Sequence, residues 1–175
     1  MPTQKAETMM VELKARVKNL APLRSKLIQY GAKKKGIFHQ IDTYFQVPKG
    51  RLKLREVAGK TDAELIYYER EDVAEPKRSY IFVLTIPEPQ TFKQILEKIV
   101  KISTVVDKVR EIYLYKRIQV HLDRVKNLGS FIEFELVSSQ DTNQQKKDLL
   151  RLEKLREKLD INPERLERLS YSDLI

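Results

Sequence analysis

The sequence predicts an α+β fold: a closed eight-stranded antiparallel β-barrel over about residues 8–140, with flanking helices and a C-terminal helical tail over 141–175. Three observations predict it. Segments that alternate polar and apolar residues with a period of two recur along the chain, separated by turn residues. Their polar faces are crowded with Lys, Arg, Asp and Glu and hold little Ser or Thr. From Asp141 onward the sequence turns Lys/Leu/Glu-rich, a composition that favours helix.

Residues 9–17, MMVELKARV, set Val11, Leu13, Ala15 and Val17 on one face and Met10, Glu12, Lys14 and Arg16 on the other, which describes a strand. Asn19 can cap a helix from about Leu20 to Tyr30, stopped by Gly31. The β-branched and aromatic run 37–47 passes through the turn Pro48-Lys49-Gly50 into RLKLREV at 51–57, a hairpin. Strands follow in AELIYYERED, after the loop 58–62, and at 78–86. Pro87 and Pro89 end the fifth strand, and Phe92, Ile95, Leu96 and Ile99 recur at helical spacing. Three more strands are expected at about 103–114, 116–123 and 130–138. The tail is expected to be helical, broken at Asn162-Pro163 before a last short helix at about 164–169. The 175 residues show no repeat or linker, so one domain is expected. A sheet of this kind either stacks or closes, and the alternation favours closure.

Composition narrows the chemistry. Without cysteine there is no disulfide framework, thiolate metal site or cysteine nucleophile. No run of 18 apolar residues and no apolar signal core occur, so no membrane association and a cytoplasmic location are expected. The net charge of +9 asks for an anionic partner: nucleic acid, an acidic membrane or a polyphosphate.

The strand faces discriminate among these. Arg51, Lys53 and Arg55 share one face, about 6.6 Å apart along the strand, and Lys108 shares a face with Arg110. Arg117, Gln119, His121 and Asp123 share another, opposite Ile118, Val120 and Leu122, while Glu133 and Glu135 oppose Ile132, Phe134 and Leu136. Such faces can simply meet water. If the sheet curls with them inward, the cations converge and repel one another unless a polyanion or fixed carboxylates offset them. A triphosphate meets that need, because Arg forks grip phosphate oxygens and Lys adds adjustable charge. Glu133 and Glu135, two residues apart on a strand, can reach one hard divalent cation. Of the two histidines, His39 reads as structural or exposed, and His121 is a candidate through its shared face with Asp123. No Gly-rich phosphate loop or nucleophile elbow occurs.

The stretches VELKARV (11–17), QIDTYF (40–45), GRLKLRE (50–56), ELIYYERED (64–72), KVR (108–110) and VHLDRVKNLGSFIEFE (120–135) occur in this order. Together they resemble the CYTH superfamily of triphosphate tunnel metalloenzymes, in its class IV adenylyl cyclase-like branch. The resemblance implies an eight-stranded tunnel that binds a nucleoside, organic or inorganic triphosphate and uses Mg2+ or Mn2+ for phosphoryl or nucleotidyl chemistry. It assigns Lys14, Arg55, Arg70, Lys108 and Arg110 to catalysis on the phosphate chain and Arg51 and Lys53 to its support. Arg16 and Arg117, on neighbouring polar faces, join the substrate-binding group. Glu12, Asp123, Glu133 and Glu135 form the implied metal side. One position departs from the pattern: Met10 stands where the first Glu of the Glu-x-Glu-x-Lys motif belongs. A thioether is a poor ligand for a hard ion, so a metal site is expected to be weakened.

Three functions follow: a metal-dependent triphosphate enzyme, either adenylyl cyclase-like or a triphosphatase; a polyphosphate-binding module without turnover, motivated by Met10; and a nucleic-acid binder, motivated by charge and eight tyrosines. The last is disfavoured because the strongest cations alternate onto strand faces. Leu149, Leu152, Leu155 and Leu159 form an apolar stripe that is expected to pack on the chain's own barrel, with a homodimer contact as the alternative.

Overall fold

In a computed structural model, which describes residues 7–175, eight antiparallel strands close into a barrel in the order β1-β5-β4-β3-β2-β6-β7-β8. The elements are β1 (Thr8–Val17), α1 (Ala21–Gln29), β2 (Lys33–Phe45), β3 (Arg51–Val57), β4 (Ala63–Arg70), β5 (Lys77–Ile86), α2 (Pro89–Ile99), β6 (Ile102–Tyr115), β7 (Ile118–Val125), β8 (Gly129–Val137) and α3 (Thr142–Lys158). Asn19 accepts from the Ala21 amide at the start of α1, and Asp141 caps α3 through the amides of Asn143 and Gln144. The β2–β3 turn needs Gly50, whose φ is +69° and whose missing Cβ would lie 2.7 Å from the Tyr67 hydroxyl.

The largest apolar core lies outside the barrel. Val11, Leu13 and Ala15 of β1, Val120 and Leu122 of β7, and Ile132, Phe134 and Leu136 of β8 pack under Leu23 and Leu27 of α1, Leu152 and Leu155 of α3, and Leu159 at its C-terminal cap. The leucine stripe of α3 therefore serves its own barrel. Each buried Leu contributes roughly 1.5–3 kcal/mol, which anchors these strands. The second apolar cover is thinner: Phe92, Leu96 and Val100 rest on Phe45, Leu54, Ala63 and Ile86, and α2 buries no residue completely. On the outer face of β5, Tyr80, Phe82 and Leu84 stay exposed.

The tail differs from expectation. In place of a helix at 164–169 there is a single 3-10 turn (Pro163–Arg165), an extended stretch, and a short α4 (Tyr171–Leu174). The cause is an open strand edge. β1 pairs with β5 only as far as Glu12↔Lys77, so its later backbone groups lack a partner on that side. Leu166 bridges Ala15 and the Glu167 amide donates to the Lys14 carbonyl at 2.8 Å, satisfying that edge at the cost of helix. Strand bounds shift too: β2 starts at Lys33 and β7 runs 118–125. Among the described residues no helix is long and apolar enough to cross a membrane.

Candidate active site: a charged tunnel

The period-two alternation aims one face of every strand into the barrel, and that interior is charged. A cavity of about 340 Å3 is lined by Glu12, Lys14, Lys53, Arg55, Arg70, Lys108, Arg110, Glu133 and Glu135, with Met10, Ile66, Ile81 and Val83 as apolar wall. Cations and carboxylates expected on separate strands meet here as ion pairs, because cross-strand register sets them side by side.

Asp42 of β2 organises one wall. It is fully buried and accepts both Arg55 Nε and Nη2 at 2.8 Å and Lys108 Nζ at 2.9 Å, with Lys53 Nζ at 3.1 Å. Burial pushes its carboxyl up, but Arg55, Lys108 and Lys53 outweigh this and hold it well below the usual carboxylate range. Burial correspondingly pushes the Lys108 ammonium well below the usual lysine value, against the pull of Asp42. One carboxylate thus serves three cations and leaves positive charge facing the cavity.

The opposite wall is acidic. Asp123 is gripped in bidentate fashion by Arg110 at 2.8 and 2.6 Å and accepts the Tyr171 hydroxyl at 2.8 Å. Arg110 also reaches Glu133 at 2.7 Å, and Lys14 lies 3.5 Å from that carboxylate. Burial pushes the Glu133 carboxyl up; the Lys14 ammonium and the Arg110 guanidinium pull it well below its normal range. Glu12 behaves oppositely: burial raises its carboxyl, Arg70 at 2.9 Å lowers it, and Glu133 and Glu135 push it up again, with a net rise. Glu135 lies beside Glu12 across the β1–β8 ladder.

His121 completes this wall. Its Nδ1 stands 3.7 Å from both Glu133 Oε2 and Glu135 Oε1 and makes no hydrogen bond, while its Nε2 lies 3.3 Å from Gln119 Oε1. Ligand atoms of His121, Glu133 and Glu135 fall within 4.8 Å of one another. A buried nitrogen without a partner, facing two carboxylates, has the chemistry of a divalent-cation site, so the residues present fit a metal.

The tail meets this site. Tyr171 packs edge-on against Phe131, with Lys14 Nζ 4.1 Å from its ring centre, and the Ser170 hydroxyl lies 3.0 Å from that of Tyr68. Arg70 donates to the Arg168 carbonyl, and the buried Lys77 donates to the carbonyls of Val73, Glu167 and Arg168. Burial lowers the Lys77 ammonium to about 8. Arg51 pairs with Asp72 and with Asp173 of α4.

The structure therefore gathers Glu12, Lys14, Lys53, Arg55, Arg70, Lys108, Arg110, Glu133 and Glu135 around one cavity. It sets Asp123 behind Arg110, away from the open carboxylates. Arg16 is turned to the Leu128 carbonyl and the Phe131 ring, and Arg117 to the Val137 carbonyl in an exposed groove beside α3. His39 is half-exposed and pairs with Asp107. Sequence reasoning missed Asp42, Lys77, Ser170 and Tyr171. Asp42 was discoverable: it shares the inward face of QIDTYF with Gln40 and Tyr44. For Tyr171 the local sequence carries no signal of a contact to Asp123.

A closed eight-stranded antiparallel barrel with a charged interior and flanking helices defines the architecture. The CYTH domain family matches residues 8–171, and the chain belongs to that family. Searching curated proteins finds no match. Among solved structures, the chain is similar to the PH1012 protein of Pyrococcus horikoshii OT3 at 27% identity and TM-score 0.82, over 97% of this chain and 99% of that one. A protein of Vibrio parahaemolyticus proposed to be an adenylate cyclase is similar at 21% identity and TM-score 0.83, over 97% and 98% of the two chains. HpAC1 from Hippeastrum, a proposed adenylyl cyclase with a dominant triphosphatase activity, shares 14% identity at TM-score 0.61, over 97% and 93%.

Proposed function

We propose that this protein binds the triphosphate group of a small organic substrate, or inorganic triphosphate, inside the tunnel and hydrolyses it with a divalent cation. The observation that carries this reading is the wall on which Asp42 serves three cations, facing a second wall with Glu12, Glu133 and Glu135. Membership of the CYTH family supports it, as does the triphosphatase activity given to the similar Hippeastrum protein.

Arg55, Lys53 and Lys108 hold phosphoryl oxygens while Asp42 fixes their positions from behind. Arg110, already oriented by Asp123, and Lys14 and Arg70 meet the other end of the phosphate chain and stabilise charge that develops on it. Glu133 and Glu135, with Glu12 beside them, would hold Mg2+ or Mn2+. When bound, such an ion neutralises phosphate oxygens and makes water more acidic. Tyr171 and Ser170 keep bulk water from the Asp123 side of the cavity. A volume of about 340 Å3 sits near the low end of ligand pockets, about 300–1,000 Å3, and suits a phosphate chain with a small organic group.

One observation favours a second reading. Ile66, Ile81 and Val83 form an apolar strip on β4 and β5 that could take the face of a nucleoside, as cyclisation by a 3'-hydroxyl would require. Release of phosphate or pyrophosphate from inorganic triphosphate, thiamine triphosphate and ATP with Mg2+ or Mn2+ tests both. Phosphate release supports hydrolysis, and pyrophosphate with cyclic AMP from ATP supports cyclisation. Tight binding without turnover of any of them would leave a binding module and overturn the enzyme reading.

A further inference from the structure

Position 10 leaves the acidic wall one carboxylate short, yet the structure offers a different donor two strands away. From β1, Met10 presents a thioether to the cavity. From β7, on the other side of β8, His121 presents an imidazole nitrogen to the same carboxylates, because the registers Glu12↔Glu135, Gln119↔Glu135 and His121↔Glu133 put all of these side chains on the inward face.

We propose that His121 is a metal ligand through Nδ1, completing a mixed nitrogen and oxygen site with Glu133 and Glu135 and shifting the protein's preference from Mg2+ toward Mn2+ and later transition metals. This rests on the proposed metal dependence and names the donor set behind it.

Three observations carry it. His121 is 2% exposed, and its Nδ1 has no hydrogen-bond partner, a costly arrangement unless something binds there. The two carboxylate oxygens lie 3.7 Å from Nδ1, too far for a hydrogen bond. That spacing leaves room for one ion between Nδ1 and the carboxylate oxygens, the ligand atoms of the three residues lying within 4.8 Å of one another. Finally, Gln119 Oε1 lies 3.3 Å from Nε2, and an amide oxygen can only accept, so in the neutral ring this contact puts the proton on Nε2 and leaves the lone pair on Nδ1. Holding the second ring nitrogen in this way is how metal-binding histidines are generally oriented. Arg110 and Lys14 also face Glu133, but a carboxylate offers about four lone-pair sites and Arg110 occupies one.

The donor set decides selectivity. Mg2+ prefers hard oxygen ligands in an octahedron and gives up water reluctantly. Imidazole suits ions further along the transition series, so replacing an oxygen donor by His121 favours Mn2+ over Mg2+.

Mn2+ is titrated into the full chain, free and with tripolyphosphate, and the complex is read by electron paramagnetic resonance and electron spin-echo modulation. Expected results are a 14N modulation from coordinated imidazole in the wild type and its loss in His121→Ala and His121→Asn. The affinity for Mn2+ should fall about 10–100-fold in both variants, with a smaller change for Mg2+. Thermal melting shows whether each variant is folded. If His121→Ala does not fold, His121→Asn carries the test. Adding Met10→Glu to either variant should restore Mn2+ binding without the 14N signal. Tight Mn2+ binding without 14N modulation in the wild type would overturn the proposed ligand and leave the metal-dependent reading standing, with His121 acting as a cation to its two carboxylates. No Mn2+ binding in any condition would sink both.

Discussion

The strands β1, β7 and β8 and the strands β3, β4 and β5 form opposite parts of one barrel but are supported differently. The first group lies under α1 and α3, with leucines that are almost wholly buried, and carries Glu12, His121, Asp123, Glu133 and Glu135 inside. The second group has only α2 and leaves Tyr80, Phe82 and Leu84 exposed, while Lys53, Arg55 and Arg70 line it inside. Short carboxylate and imidazole side chains can share an ion only if the backbone beneath them is fixed. Long Arg and Lys side chains can adjust to a phosphate chain, so their wall tolerates thinner packing. Rigid cover is therefore placed where geometry must be fixed.

The largest effect should come from Asp42→Asn, which leaves Lys53, Arg55 and Lys108 without their shared counter-charge. Chemical denaturation should register a loss of about 3–5 kcal/mol. Because the folded Asp42 holds its carboxyl below the unfolded value, its stabilisation is complete above about pH 4 and fades as pH falls through the depressed folded value. The acid limb of the stability curve should accordingly be shallower in Asp42→Asn than in the wild type. An equal limb would show that Asp42 is not the anchor of the basic wall.

Next comes the covered part. Leu152→Ala removes a fully buried side chain between α3 and the barrel and should cost about 2–5 kcal/mol. On the basic wall, Arg55→Ala should weaken tripolyphosphate binding about 10–150-fold by calorimetry, the worth of one hydrogen bond to a charged group. Tyr171→Phe removes one hydroxyl from Asp123 and should cost roughly 1 kcal/mol, with faster amide exchange in residues 166–174. Leu84→Ser on the bare outer face of β5 should change stability by no more than about 0.5 kcal/mol. A Leu84→Ser loss as large as that of Leu152→Ala would erase the contrast between the two parts.

Much of this was legible in the chain. Period two in VELKARV, RLKLREV and FIEFELV assigned inward and outward faces correctly, since neighbouring side chains on a strand must point to opposite sides. The same rule placed Lys14, Arg55, Lys108, Arg110, Glu133 and Glu135 in a common interior. Arg16 obeys the alternation but sits at the end of β1, where its side chain turns to the Leu128 carbonyl, while Arg117 falls in the turn between β6 and β7, outside the strand expected to carry it. The helix expected at 164–169 failed because helical propensity there competes with an open β1 edge, and main-chain pairing won.

The sequence by itself determined the number of strands, their faces and the basic and acidic character of the interior, because all three follow from the local geometry of the backbone. The tertiary structure alone decided which charges meet. Lys108 and Asp42 are 66 residues apart, and Tyr171 and Asp123 are 48 apart. Barrel closure and register bring those partners together, and the same closure turned His121 toward Glu133 and Glu135 beside the place where Met10 supplies no carboxylate.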